Sequence, residues 1–380
     1  MDNKTIFDMA TRQRGGRYEL KQNSLSNFLI SCRKIGLDII DELKRNNPQL
    51  PDIHIDFIDN NSFNACAFKK DNIYFIGINT NTFFILYLFF SYILSFPEIL
   101  SNIGNSENET APKNVNLNYI KEPIKPKDKL RQAYSEGLIY FAVQFLICHE
   151  LGHILNGHID LIEKWTDIPF ISEMVSYDKE SKFLDSQTLE LDADCYAANI
   201  GIKSIIGRYE DKMNLNKDIQ PYFNSLEDAL FLWTFSIYTL FRFLGNTVYD
   251  FNKLENYRHP YPGFRQEYIL ALIPTIILNT EYSQSFDLEK SVYAVKEFED
   301  AIKFIKEGAV TWDFVNDLHP APIKCAYTKK GWNHIYQIEN NWRNIRPQLE
   351  CYSKVNLAPV VPLNEEEFMN IPKKFFKVKP

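Results

Sequence analysis

Gly137 to His158 reads GLIYFAVQFLICHELGHILNGH, an apolar run that closes on three histidines and a glutamate. Apolar side chains fill nearly every position up to Cys148, so a helix through this stretch is apolar all round and belongs in a core. The clean run stops at His149 and Glu150, short of the ~20 residues that a bilayer crossing takes. Burial then poses a problem, because an imidazole or a carboxylate taken out of water without a partner costs on the order of several kcal/mol. A chain that writes two histidines and a glutamate into such a helix needs something there to bind them.

His149 and His153 stand four residues apart, which puts both imidazoles on one helical face where they can meet a single ion. Glu150 lies ~100° further round, where its carboxylate reaches an activated water more easily than the ion itself. This is the layout of a metal-dependent hydrolase, with zinc as the expected ion and Glu150 as the general base. A catalytic site of this kind takes a third protein ligand. His158 follows His153 by five residues, where the metzincin extension wants a glycine at Asn156 and a histidine at Ile159. Gly157-His158 reads instead as a helix end, with the imidazole at its negative pole, and Asp160 is a second minor candidate. The stronger candidate lies in TLELDADCYAA, Thr188 to Ala198. On a helix Glu190 and Asp194 share a face and Asp192 points away. Glu190 is the expected third ligand, and Asp194 the acceptor that fixes a ligand histidine's tautomer. If Glu190 does not bind the ion, Asp160, Asp192 and His158 are the ligands to test.

The rest of the chain reads as α+β and mostly helical. Ser24 to Arg45 has an amphipathic period and ends before Pro48 and Pro51. Ile53, Ile55 and Phe57 alternate with His54 and Asp56, and Ala65–Phe68 and Ile73–Ile78 flank a Lys69-Lys70-Asp71-Asn72 turn. These predict a small N-terminal antiparallel sheet of about three strands. Helices are predicted at about 82–96, 130–157, 180–204, 225–244, 264–280 and 287–307. Residues 101–128, rich in Asn, Pro, Lys and Glu, read as a flexible insertion. Residues 1–310 then form the catalytic domain, and 311–380 an irregular C-terminal extension packed on it.

A formal charge of −7 and a pI near 5.6 argue against a nucleic-acid partner, which calls for a basic face. The basic stretches, Lys121 to Arg131 and Lys373 to Lys379, are short solvated segments. Six scattered cysteines without a CxxC pair read as reduced thiols. Met1 to Tyr18 shows no apolar signal region, so a cytoplasmic location is expected. The apolar runs Thr82–Phe96, Leu138–Cys148 and Ala229–Phe241 read as buried helices and not as membrane spans.

HELGH followed at a distance by ExxxD resembles the gluzincin zinc metallopeptidases. It is most similar to the branch that also carries Asn-Ala-x-Ala upstream and His-Pro downstream, with an arginine six residues past that histidine. Asn64-Ala65-Cys66-Ala67 and His259-Pro260-Tyr261-Pro262-Gly263-Phe264-Arg265 match in order and spacing. The resemblance implies a zincin-like fold around the HExxH helix and endopeptidase activity on a protein or peptide substrate. It also implies His259 as donor to the tetrahedral oxyanion and Arg265 as the group that orients the acidic ligand shell. A substrate strand would add to an exposed edge of the N-terminal sheet, a recurrent way of binding peptides. The family's best-known branches carry membrane-spanning helices that this chain lacks, and residues 101–128 and 271–380 have no counterpart in them. Soluble phage-exclusion peptidases are similar too, through a mid-chain HExxH. A toxin-like effector peptidase aimed at one host protein and a catalytically inactive zinc-binding module are further readings. The intact Glu150 counts against the second.

Overall fold

Asp71 and Asn72 both take positive φ, 51° and 61°, the left-handed pair that closes a two-residue hairpin. That turn joins the strands Ala65–Lys70 and Ile73–Asn79 and anchors the sheet. The computed structural model describes residues 1–22, 24–110, 115–120, 123–166, 170–172, 183–215, 217, 219–307 and 311–358. In chain order the elements are α1 (Asn3–Thr11), α2 (Ser24–Asn46), β1 (Ile53–Ile58), β2 (Ala65–Lys70), β3 (Ile73–Asn79), α3 (Thr80–Ile93), α4 (Lys129–Leu155), α5 (His158–Thr166) and β4 (Phe170–Ser172). There follow α6 (Phe183–Glu210), α7 (Leu226–Leu244), α8 (Pro262–Ile277), α9 (Glu289–Glu307), α10 (Asp313–Asn316) and α11 (Lys329–Leu349). The chain is thus α+β and mostly helical, as its periodicities predict.

The sheet differs from the expected antiparallel one. Its strand order is β1-β3-β2-β4, and β1 runs parallel to β3, with Ile53 opposite Tyr74 and Ile58 opposite Asn79. β2 is antiparallel to β3, and β4 is antiparallel to β2. An alternating pattern fixes which face a residue takes but not which neighbour its strand chooses. β4 is also too short to show alternation. It arrives from the segment between α5 and α6, and its Phe170 ring stacks on Phe68 at 5.3 Å.

α4 packs against α6 and α7 and against β2 and β3 of the sheet. From Gly137 to Leu155 every α4 side chain except Tyr140 is buried. Among the described residues α4 is also the one helix long and apolar enough to cross a membrane, and 94% of its most apolar stretch is buried inside the protein. Phe89 and Phe298 pack with Phe243, Trp312 and Phe235 in a largely edge-on aromatic cluster beside α7 and α9, which uses the chain's many phenylalanines. All six cysteines are unpaired.

Two expectations about the loops are corrected. Described residues of the 101–128 segment are anchored and not a loose insertion. The buried Glu109 carboxylate accepts from the Lys127 and Asp128 amides at 2.9 Å each. Leu117 is buried, and its amide donates to Thr311 O at 2.8 Å. These ties join residues far apart in sequence, so no local period announces them. The C-terminal extension is likewise not irregular over its described part, because α11 packs along α6. Trp332, Ile335, Ile338, Ile345 and Leu349 are its buried stripe, and Thr328 caps it by accepting from the Gly331 amide. Pro347 falls in its last turn, where a proline signals a break without preventing the helix before it. The basic tail at Lys373 to Lys379 lies outside the described residues.

Candidate metal centre

α4 and α6 touch at Gly152 and Ala193. A Cβ on Gly152 would sit 3.1 Å from Ala193 Cα and 3.2 Å from Tyr196 Cβ, tight enough that the neighbours would have to give way, so the glycine lets the helices approach closely. His149 and His153 lie beside this contact on α4, and Glu190 and Asp194 beside it on α6. Each pair is one turn apart, so the crossing brings two i,i+4 pairs face to face.

The result is a buried group of His149, His153 and Glu190 whose ligand atoms all lie within 4.8 Å of one another, and it could hold a metal ion. Glu190 Oε2 is 3.4 Å from His149 Nε2, and Glu190 Oε1 is 3.6 Å from His153 Nε2. The two Nε2 atoms are themselves 3.0 Å apart. Their protonation follows from what lies behind each ring. His149 Nδ1 lies 2.9 Å from Asp194 Oδ1; a carboxylate only accepts, so Nδ1 carries the hydrogen and Nε2 is bare. Behind His153 the path is longer. Asp192 Oδ2 lies 2.9 Å from His158 Nε2 and must accept from it. His158 Nδ1 is then the acceptor for His153 Nδ1–H at 2.9 Å, which leaves His153 Nε2 bare as well. Two imidazole nitrogens and a carboxylate thus face one point, 3.0 to 3.6 Å from one another. A cation satisfies such a set, and the donor chemistry fits a divalent metal.

Electrostatics agree with this. Burial pushes the Glu190 carboxyl up, but the imidazoles of His259, His153 and His149 outweigh it and hold the pKa well below the carboxylate range. Burial, with help from His149, His158 and Arg265, drives the His153 pKa well below that of free histidine against the pull of Glu190. The centre therefore favours a charged carboxylate beside a neutral ring.

Arg265, near the start of α8, forks Asp194: Nε to Oδ2 at 2.7 Å and Nη2 to Oδ1 at 2.8 Å. Its guanidinium also stacks 4.5 Å over the Phe241 ring. His259, three residues before the Pro262 that starts α8, brings Nδ1 to 3.6 Å from Glu190 Oε2 and keeps a fifth of its side chain exposed. Glu150 is 1% exposed and lies against β2, where burial, aided by the Glu150 charge, pushes the Cys66 thiol up to about 12.

The minor ligand candidates fall elsewhere. Asp160 is held by Lys69 Nζ, Tyr74 OH and Lys354 Nζ, each at 2.7 Å. His158 does not cap α4. Gly157, at φ 85°, ends that helix, and His158 opens α5 with its ring turned back on His153. Asp192 does not point into solvent; it accepts from His158 and, at 2.6 Å, from Asn156 Nδ2. Sequence reasoning missed this support, although polar residues clustered directly after an apolar core helix were the available signal. The chain matches no protein-family model, no curated protein and no solved structure. The fold and site define a mostly helical α+β protein with a candidate two-histidine, one-carboxylate metal centre.

Asp194→Asn and His158→Leu should each weaken divalent-metal binding by ~10–100-fold, the usual cost of losing a group that orients a ligand histidine. Asp160→Asn should leave it unchanged. Competition against a chromogenic chelator reads all three, and equal affinities throughout would refute the tautomer assignment.

Proposed function

We propose that the chain is a zinc-dependent endopeptidase in which His149, His153 and Glu190 hold the metal and Glu150 is the general base. The observation that carries this reading is the convergence of two buried imidazoles and a carboxylate within 4.8 Å of one another, with a second buried carboxylate adjacent in sequence to the first ligand. Two histidines and one carboxylate, leaving a position for substrate, suit catalytic zinc. When bound there, zinc supplies Lewis acidity to a carbonyl and acidifies water near neutral pH. Glu150 takes the proton from the attacking water and returns it to the leaving amine. Its burial, at 1% exposure, strengthens both exchanges by lowering the local dielectric. His259, partly open to solvent beside Glu190, donates to the oxyanion of the tetrahedral intermediate. Arg265 acts through Asp194, keeping it in place to hold His149 in one tautomer.

β4 covers the outer side of β2: Cys66 faces Ser172, and Phe68 faces Phe170. β4 is the last strand of the order on that side, and a substrate strand would add alongside it.

The test is release of new α-amino groups from an unfolded protein substrate. Protein stripped by a chelator should be inactive and protein reloaded with zinc active. Inactivity of both forms across a broad peptide library would sink the proposal. In the same assay His259→Ala should lower kcat by ~100-fold or more with zinc content unchanged, as losing an oxyanion donor does. His319, in the chain's other His-Pro pair, is exposed; its backbone amide donates to Asn246 Oδ1 at 2.9 Å. His319→Ala should stay within a few-fold of wild type. The reverse ranking would remove His259 from the mechanism.

A further inference from the structure

Gln187 lies one turn before Glu190 on α6 and is 1% exposed. Its side-chain Nε2 donates to two backbone carbonyls of the segment that leads to His259: Leu254 O at 2.9 Å and Tyr257 O at 2.5 Å. Its Oε1 accepts from His334 Nε2 at 2.7 Å. His334 belongs to α11, is 3% exposed, and packs its ring 5.9 Å from Phe264, the residue before Arg265. Burial lowers the His334 pKa, which favours the neutral ring. With Oε1 able only to accept, the His334 hydrogen sits on Nε2, and Nδ1 accepts from the Gln337 side-chain amide 3.2 Å away. The Gln187 amide therefore has both of its N–H bonds and its oxygen committed, and it can be turned only by breaking three hydrogen bonds.

We propose that Gln187, locked by His334 of α11, is a positioning residue that holds the 254–259 segment so that His259 stands over Glu190. This deepens the peptidase reading by making the centre complete only when α11 is docked on α6. The geometry is economical. Gln187 and Glu190 share one rigid helix, so the segment that carries His259 is measured off from the helix that supplies a metal ligand. The Tyr257 carbonyl is two residues from His259, too few for the chain to absorb a slip at that hydrogen bond. Leu254 also sits in an apolar cluster with Tyr261, Phe264, Trp332 and Ile335, so the amide has a competitor for the role. The two make different demands, since the cluster needs only volume and the amide needs its donors.

The experiment compares wild type with Gln187→Met, which keeps volume and charge, and with His334→Phe and His334→Gln. Hydrogen exchange of the 250–261 amides is followed alongside zinc content and steady-state cleavage. Gln187→Met should keep its zinc, exchange that segment ~10-fold faster or more, and lose kcat by ~10-fold or more with KM nearly unchanged. His334→Phe should do the same to a smaller extent, and His334→Gln, which restores a donor, should recover most of the protection. Wild-type protection in Gln187→Met would overturn the proposal and assign the segment to the apolar cluster. Faster exchange in a protein whose wild type cleaves nothing would uphold the placement and sink the peptidase reading alone.

Discussion

Replacing Glu150 with glutamine should abolish cleavage while zinc stays bound, and replacing Glu190 with glutamine should remove the zinc and the activity together. The two residues have the same chemistry and similar burial, 1% and 3% exposed. They differ in what surrounds them. Glu190 presents both oxygens to the histidine pair, within 3.4 and 3.6 Å of the Nε2 atoms, and three imidazoles favour its charge. An amide there is neutral and turns either a weak donor oxygen or an N–H toward the ion. The affinity loss should exceed the ~10–100-fold seen when only a supporting residue is lost. Glu150 lies on the α4 flank that meets β2, outside the ligand set. Losing a general base costs ~100- to 10,000-fold, and glutamine cannot take a proton at all, so the upper end is expected. Zinc per chain by elemental analysis and peptide hydrolysis on the same samples decide both. Full zinc in Glu190→Gln would take that residue out of the ligand set, and full activity in Glu150→Gln would take the base out of the mechanism.

What the sequence made legible follows from how far each relation reaches along the chain. His149 with His153, and Glu190 with Asp194, could be placed because each pair is set by one helical turn. The helices themselves showed through their apolar period to within a few residues at most ends. His259 and Arg265 had no such local rule. Only the order and spacing of short motifs suggested them, and the structure brings His259 to Glu190 and Arg265 to Asp194. The link from His158 to His153 depends on the left-handed Gly157, which turns one long helical pattern into two helices; read as one helix, His158 becomes an end cap. The contact of Gln187 with His334 spans 147 positions and has no signature in either segment. β4 was invisible for a related reason, since a three-residue strand is defined by its partner. α11 was obscured by the prolines and tryptophans around it, although its buried positions do repeat at helical spacing.

Arg131→Met should be the most destabilising single substitution outside the centre, at ~3–5 kcal/mol. Arg131 is fully buried near the start of α4 and gives its guanidinium to five backbone carbonyls. Nε donates to Leu94 O at 2.7 Å, Nη1 to Leu100 O and Ile103 O at 2.8 Å, and Nη2 to Phe96 O at 2.9 Å and Ile99 O at 2.8 Å. The segment from 94 to 103 leaves α3 without regular structure, so these carbonyls have few other donors. Leu100 even takes φ 48°, a conformation that a leucine adopts only at a cost of about 1–2 kcal/mol and that the Arg131 contact offsets. Glu109, whose Oε1 is 3.9 Å from Arg131 Nε, balances the charge. Methionine fills the stem of the cavity but donates nothing; Leu100 O keeps the Ile103 amide at 3.0 Å, and the other four buried acceptors lose their partner at about 1–3 kcal/mol for each that cannot find water. Relaxation and hydration will recover part of that sum. Even so, a loss of this size is a large share of the 5–15 kcal/mol that typically holds a domain together. Arg131→Lys should recover only part of it, because an ammonium has three donors where the guanidinium has five and cannot match their planar fork. Urea unfolding followed by tryptophan fluorescence measures both variants. Arg131 lies eighteen residues before His149, ~27 Å along the helix, so zinc affinity of the folded fraction should not change. A loss below about 1 kcal/mol in Arg131→Met would mean that the 94–103 segment is held by its apolar side chains and the guanidinium is dispensable.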